Sequence, residues 1–193
     1  MPKRLTSVLE SLIKIGRPPI IRRGGGLDSC ILSTRVAIEV LGAFGIEASP
    51  LTVHVVVGNP AFARLEEDPR TPEDPDALRL LREKCGARFI NLGGGDPSPG
   101  GWPHHLIAII EGGHLFDLSI DQASKAGTDF EVHPELIPCG EDFLAGRFEL
   151  RHIAIPGGCY LKYQSLPDET SYQQAQAWWD YQGLVERVIE AVP

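Results

Sequence analysis

The sequence predicts an α+β domain, and three stretches carry that expectation. From Cys30 to Phe44, apolar or small side chains recur in steps of three and four (Cys30, Thr34, Ala37, Leu41, Phe44), which marks one buried face of a helix. Leu51-Thr52-Val53-His54-Val55-Val56-Val57 is a β-branched run bounded by Pro50 and Gly58, a strand by length and content. Two apolar runs, Leu106–Ile110 and Leu115–Gln122, flank Glu111-Gly112-Gly113-His114 and read as a hairpin.

Taken in order, Leu5 to Ile15 is expected to form a short amphipathic helix with Leu5, Val8, Leu9, Leu12 and Ile13 on one side. Gly16-Arg17-Pro18-Pro19 should end it, and Ile20-Ile21 reads as an extended piece. Gly24-Gly25-Gly26 allows a sharp turn, and Asp28 and Ser29 are both good caps for the helix that carries Cys30. That helix should stop at Gly45, with Ile46 to Pro50 as connector to the valine-rich strand. The stretch from about 58 to 102 is rich in proline and glycine and reads as a loop-rich insertion, a lid or a tolerated surface loop. Within it, Asp76–Lys84 has a helical pattern with Leu78, Leu81 and Cys85 on one side, and Ala87–Asn91 a short extended one. After the hairpin, Ala123 to Pro138 reads as loop. Phe148–Ile155 and Cys159–Tyr163 read as strands, and a last helix should run from Asp168 or Thr170 to Ala191.

Composition narrows the function classes. At 193 residues the chain is expected to be a single domain with a sizeable core, and 42% hydrophobic with 23% charged residues is ordinary for a water-soluble fold. A net charge of −8 argues against nucleic acid and anionic membrane surfaces as partners. No apolar run reaches spanning length, and the basic start Met1–Thr6 is followed by Glu10 and Lys14, unlike a secretory leader. Cysteines at 30, 85, 139 and 159 are widely spaced, which fits neither a disulfide framework nor a cysteine-rich zinc site. A reducing cytoplasm is the expected location.

Cys30 has two readings. A helix start favours an anion, and the thiolate is the nucleophilic form of cysteine. Equally, an inward cysteine on a helix is a common packing residue. Three further residues bear on this. His104 and His105 open the strand Leu106–Ile110, and Asp117 sits among apolar residues of the return strand, where an acid needs a partner. With a three-residue turn Ile107 faces Asp117, so His105 and Asp117 share a face as diagonal neighbours; a two-residue turn puts them on opposite faces.

Ser29-Cys30, Val40-Leu41, Gly45-Ile46-Glu47-Ala48, a valine-rich strand, Gly101-Trp102-Pro103-His104-His105-Leu106-Ile107 and Leu115-Phe116-Asp117-Leu118 follow one another in the order Cys, His, Asp. In this the chain, over roughly 25 to 122, resembles the papain-like/transglutaminase-like superfamily of cysteine hydrolases. The resemblance implies a core helix carrying Cys30 packed on an antiparallel β-sheet, with N- and C-terminal helices added. It implies Cys30 as nucleophile, His105 as base, chosen over His104 because the superfamily's histidine directly precedes the apolar strand, and Asp117 as orienting acid, with Asp121 its rival. Papain-like proteases also carry a glutamine shortly before the cysteine; here Gly24–Gly26 occupy that region. The Cys30 and glycine N–H groups are then the expected oxyanion donors, with Gln122 and Trp102 as further candidates.

The resemblance implies a thiol-dependent hydrolase acting on an amide, isopeptide or thioester bond of a peptide or protein, with no cofactor and no metal. Transglutaminase-like acyl transfer and a catalytically silent protein-binding domain are the alternatives. A metal site of Cys30, His104 and His105 is disfavoured because adjacent strand residues point to opposite faces.

Overall fold

The computed structural model describes residues 3–23, 29–93, 102–125, 130–154, 157–174 and 181–193. The triple glycine, Asp28, Trp178 and Trp179 lie outside the described residues.

Helix α1 (Lys3–Ser11) does not stop where the glycine and prolines predict. It widens into a π-helical turn, Leu12–Gly16, and continues as α2 (Arg17–Arg23), so Ile20 and Ile21 are helical. The Arg17 N–H reaches back five residues to the Leu12 carbonyl. Pro18 and Pro19 then fall in the first turn of the next segment, where missing N–H groups and fixed φ angles are tolerated.

Helix α3 (Ser29–Ala43) carries Cys30 in its first turn. It ends in a Schellman motif: Ile46 N–H bonds to Leu41 O at 3.1 Å, Gly45 N–H bonds to Gly42 O at 3.0 Å, and Gly45 has φ +70°. Strand β1 (Ala48–Gly58) is longer than the sequence suggests and includes Pro50.

The stretch after β1 is more ordered than a loop-rich insertion. It holds α4 (Pro60–Glu67), α5 (Pro75–Cys85) and β2 (Phe89–Leu92). Two of the prolines read as breakers are helix starters. Asn59 and Asp74 cap the helices by accepting from Phe62 N–H and Ala77 N–H, and Pro60 and Pro75 follow in the first turn. No residue of α5 is buried, and Cys85 at its end is exposed.

Next come β3 (His105–Ile110), β4 (His114–Phe116), the short helix α6 (Gln122–Lys125), β5 (Leu136–Pro138), α7 (Glu141–Leu144), β6 (Leu150–Ile153) and β7 (Tyr160–Ser165). A 3₁₀ turn at Ser171–Gln174 and helix α8 (Gln182–Glu190) stand where one long helix from Asp168 or Thr170 was expected. Among the described residues the seven strands form one antiparallel sheet in the order β5-β4-β3-β1-β7-β6, nearly closed into a barrel. On one edge β1 pairs with β3 along Ala48–Val53 and then with β2 along Val55–Gly58, so β2 and β3 lie end to end.

Side-chain alternation splits the sheet into two apolar faces. Val53, Val55, Val57, Ile107, Leu115, Leu161 and Tyr163 fill the inner one. Ile110 and Phe116 turn outward, where α1, α3 and α8 cover them with Leu9, Val36, Leu41 and Val188. The architecture is therefore α+β, with the Cys30 helix packed on an antiparallel sheet. No helix among the described residues is long and apolar enough to cross a membrane.

Candidate active site

The hairpin sets the site's geometry. Its turn has three residues, with Gly112 at φ +82° and Gly113 at φ +75°, and the register pairs Ala108 with Phe116 and Ile110 with His114. Extending that register one step places Ile107 opposite Asp117, so His105 and Asp117 fall on the same, inner face. Asp117 does not continue the strand. Its Oδ1 accepts from both the N–H and the hydroxyl of Ser119 at 3.1 Å, and this side-chain turn ends β4 after Phe116.

His105 Nε2 lies 2.9 Å from Asp117 Oδ2, and both residues are only 2% exposed. Cys30, 4% exposed, lies close enough to the same imidazole for its thiol to favour the charged ring. Since Nε2 is committed to Asp117, Nδ1 is the ring nitrogen left for sulfur. Helix α3 is fastened at this point: Thr34 Oγ1 donates to Leu106 O at 2.9 Å, and Cys30 and Ile31 pack on Leu106. The first turn of α3 thus meets the first residue of β3.

Burial works against a charged His105, but the negative charge and hydrogen bond of Asp117, together with Cys30, outweigh it and push the imidazole up to about 10. The buried Tyr163 phenol lies near Asp117; burial, Asp117 and Glu135 hold it well above its ordinary range. Arg17 stands close by, donating from Nε to Leu118 O at 3.0 Å. Burial lowers its guanidinium to about 10 while the charge of Asp117 opposes the shift.

The competing residues are drawn elsewhere. Asp121 pairs with Arg17, not with a histidine. His104 turns away from His105: its Nδ1 is 3.0 Å from His54 Nε2 and its Nε2 is 3.8 Å from Glu169 Oε2. His114 lies at the far end of the hairpin beside Gly112. Gln122 donates from Nε2 to Ser29 Oγ at 2.5 Å, which brings a side-chain amide to the residue before Cys30. Trp102 donates from Nε1 to Ser171 Oγ at 2.9 Å.

Sequence reading missed Ser119, Tyr163, Arg17 and His54. The Asp117-Leu118-Ser119 spacing was a legible turn signal. Tyr163 and Arg17 arrive from distant elements, and no local pattern announces them. His54 stacks on His104 and forms an imidazole pair with it.

Compared with protein-family models, curated proteins and solved structures, the chain matches none of them.

Proposed function

We propose that this protein is a thiol-dependent hydrolase that cleaves an amide, isopeptide or thioester bond through an acyl-enzyme on Cys30, in the manner of papain-like peptidases. The observation that carries this reading is one buried imidazole shared between a thiol and a carboxylate, with the carboxylate favouring its protonated form. An inert packing cysteine needs no such partner.

The chemistry follows from the placement. The Cys30 thiolate attacks the carbonyl carbon, forming a C–S bond and moving the π electrons onto oxygen. The N–H groups in the first turn of α3 have no partners within the helix and can receive that oxyanion. The Gln122 amide, already beside Ser29, is a side-chain donor close to that turn. Collapse of the intermediate breaks the bond to the leaving group, which takes the proton from His105 Nδ1. Water then attacks the thioester, His105 takes its proton back, and the thiolate leaves with the acid product released. Asp117 holds the ring and stabilises its charged form throughout.

The test is a panel of peptide, isopeptide and thioester substrates with Cys30→Ala and His105→Ala variants. Loss of turnover in both, with unchanged circular dichroism, is the expected result. Turnover that survives Cys30→Ala would remove the covalent route. Acyl transfer to an added amine in place of water would move the assignment to the transglutaminase-like alternative.

A further inference from the structure

Cys30 is nearly sealed, and the residues that seal it are specific. It forms a small apolar cluster with Ile31 and Leu106, which are 4% and 1% exposed. Among the described residues, the partly exposed members of that cluster are Trp102 and Tyr172. Their rings meet edge to face with centroids 6.2 Å apart. Tyr172 belongs to a strap whose root is fastened to β1: Leu166 N–H donates to Thr52 O at 2.9 Å, and Thr52 Oγ1 donates to Glu169 O at 2.7 Å. At the exposed tip of the strap Ser171 accepts from the Trp102 indole, and Arg35 Nη2 of α3 donates to the Tyr172 carbonyl at a long 3.5 Å. Exposed or long hydrogen bonds of this kind are weak fasteners.

Resting on the reading of Cys30 as a nucleophile, we infer that Trp102 and Tyr172 are the doorway to the thiol and determine which substrates reach it. A flat apolar group beside the scissile carbonyl is the substrate class that fits, because it can replace the ring contact that opening breaks. A strongly polar group of the same size would have to enter an apolar cluster without partners, which costs affinity. His104 meets Trp102 edge to face with ring centroids 5.4 Å apart, so a polar ring adjoins the indole.

The experiment compares two neutral alkylating reagents with one reactive group, N-benzyl iodoacetamide and N-(2,3-dihydroxypropyl) iodoacetamide, on the full chain. Labelling of Cys30 is followed by mass spectrometry and divided by labelling of exposed Cys85 in the same molecule. The benzyl reagent should be favoured at Cys30 by about tenfold after this correction. Trp102→Ala should shrink the preference to about twofold, whereas Trp102→Phe, which keeps an apolar ring, should retain most of it. Ser171→Ala should speed both reagents at Cys30 and leave their ratio unchanged. Ready labelling of Cys30 without a benzyl preference, or a preference untouched by Trp102→Ala, would overturn the doorway and leave the nucleophile intact. If neither reagent labels Cys30 while both label Cys85, the nucleophile reading falls and the doorway with it.

Discussion

Two histidines adjacent in the chain, His104 and His105, end in opposite surroundings. His105 faces the inner side of the sheet, is 2% exposed, and has a carboxylate and a thiol as partners. His104 faces the other way and meets a second imidazole, His54, with the two ring planes 11° apart. The consequences for charge are reversed. Asp117 raises His105 despite burial, whereas burial and the charge of His104 both lower His54. Burial alone therefore does not make an acid–base residue; the sign of the partner decides.

The sharpest way to break this contrast is to delete each ring separately. His105→Ala should reduce turnover by about 10⁴-fold, while His104→Ala should change it by no more than about threefold, both read as kcat/KM on the same substrate. Similar losses from the two variants would mean that the imidazole pair also takes part in the chemistry.

Asp117→Asn comes next, with an expected loss of about 10²-fold, since the acid orients and stabilises the ring without transferring a proton. The protonation change is the more direct readout. In the native protein the His105 ring should titrate near 10 by NMR; in Asp117→Asn burial is opposed by Cys30 alone, and the midpoint should fall well below the native one. The linkage has a definite sign. A histidine whose folded value is raised contributes stability that is fully present below about pH 6.5 and is lost as pH rises through about 10. Urea midpoints for native and Asp117→Asn protein should therefore differ most near pH 6 and converge at alkaline pH.

Gly93 joins the two regions. It has φ +74°, and a Cβ placed there would lie 2.6 Å from the His104 carbonyl carbon and the His105 nitrogen. Gly93→Ala should cost on the order of 1–3 kcal/mol of stability, read from urea unfolding, and should reduce activity along with it. A neutral result would show that the backbone between the histidines is free to move.

The smallest effect is expected from His54→Gln. A histidine whose folded value is lowered contributes stability that is present above about pH 6.5 and is lost as pH falls through the folded value. The variant should match the native protein at pH 7.5 and show a shallower loss of thermal stability towards pH 5, measured as Tm. An unchanged acid limb would mean that the pair accepts a proton at no cost.

Much of the inner framework was legible in the sequence because its signals are local. The 3.6-residue period of α3, the glycine that ends it and the valines of β1 each announce themselves. The hairpin was legible apart from its register, which the sequence left open between two turn lengths; Gly112 and Gly113 at positive φ go with the longer turn. What was lost depended on distance or on an ambiguous residue. Proline marks both a broken helix and a begun one, and only the caps Asn59 and Asp74 make Pro60 and Pro75 helix starts. Pro18 and Pro19 looked like a stop because a π turn leaves no signature in the hydrophobic pattern. Tyr163 and Arg17 come near Asp117 from distant elements, and proximity across such separations is a product of the folded sheet.

The end-to-end seating of β2 and β3 along β1 carries a consequence for how this fold can vary over evolutionary time. Leu92 pairs with Val55 and His105 with Val53, so the two strand ends are neighbours, about 7 Å apart along the edge. The two ends of the connection between these strands therefore lie close together. Doubling its length would cost only about 0.6 kcal/mol in loop closure. Descendants of this sequence could therefore lengthen or rewrite the stretch that delivers Trp102 to the thiol, and so change what enters, without disturbing one rung of the ladder that holds His105.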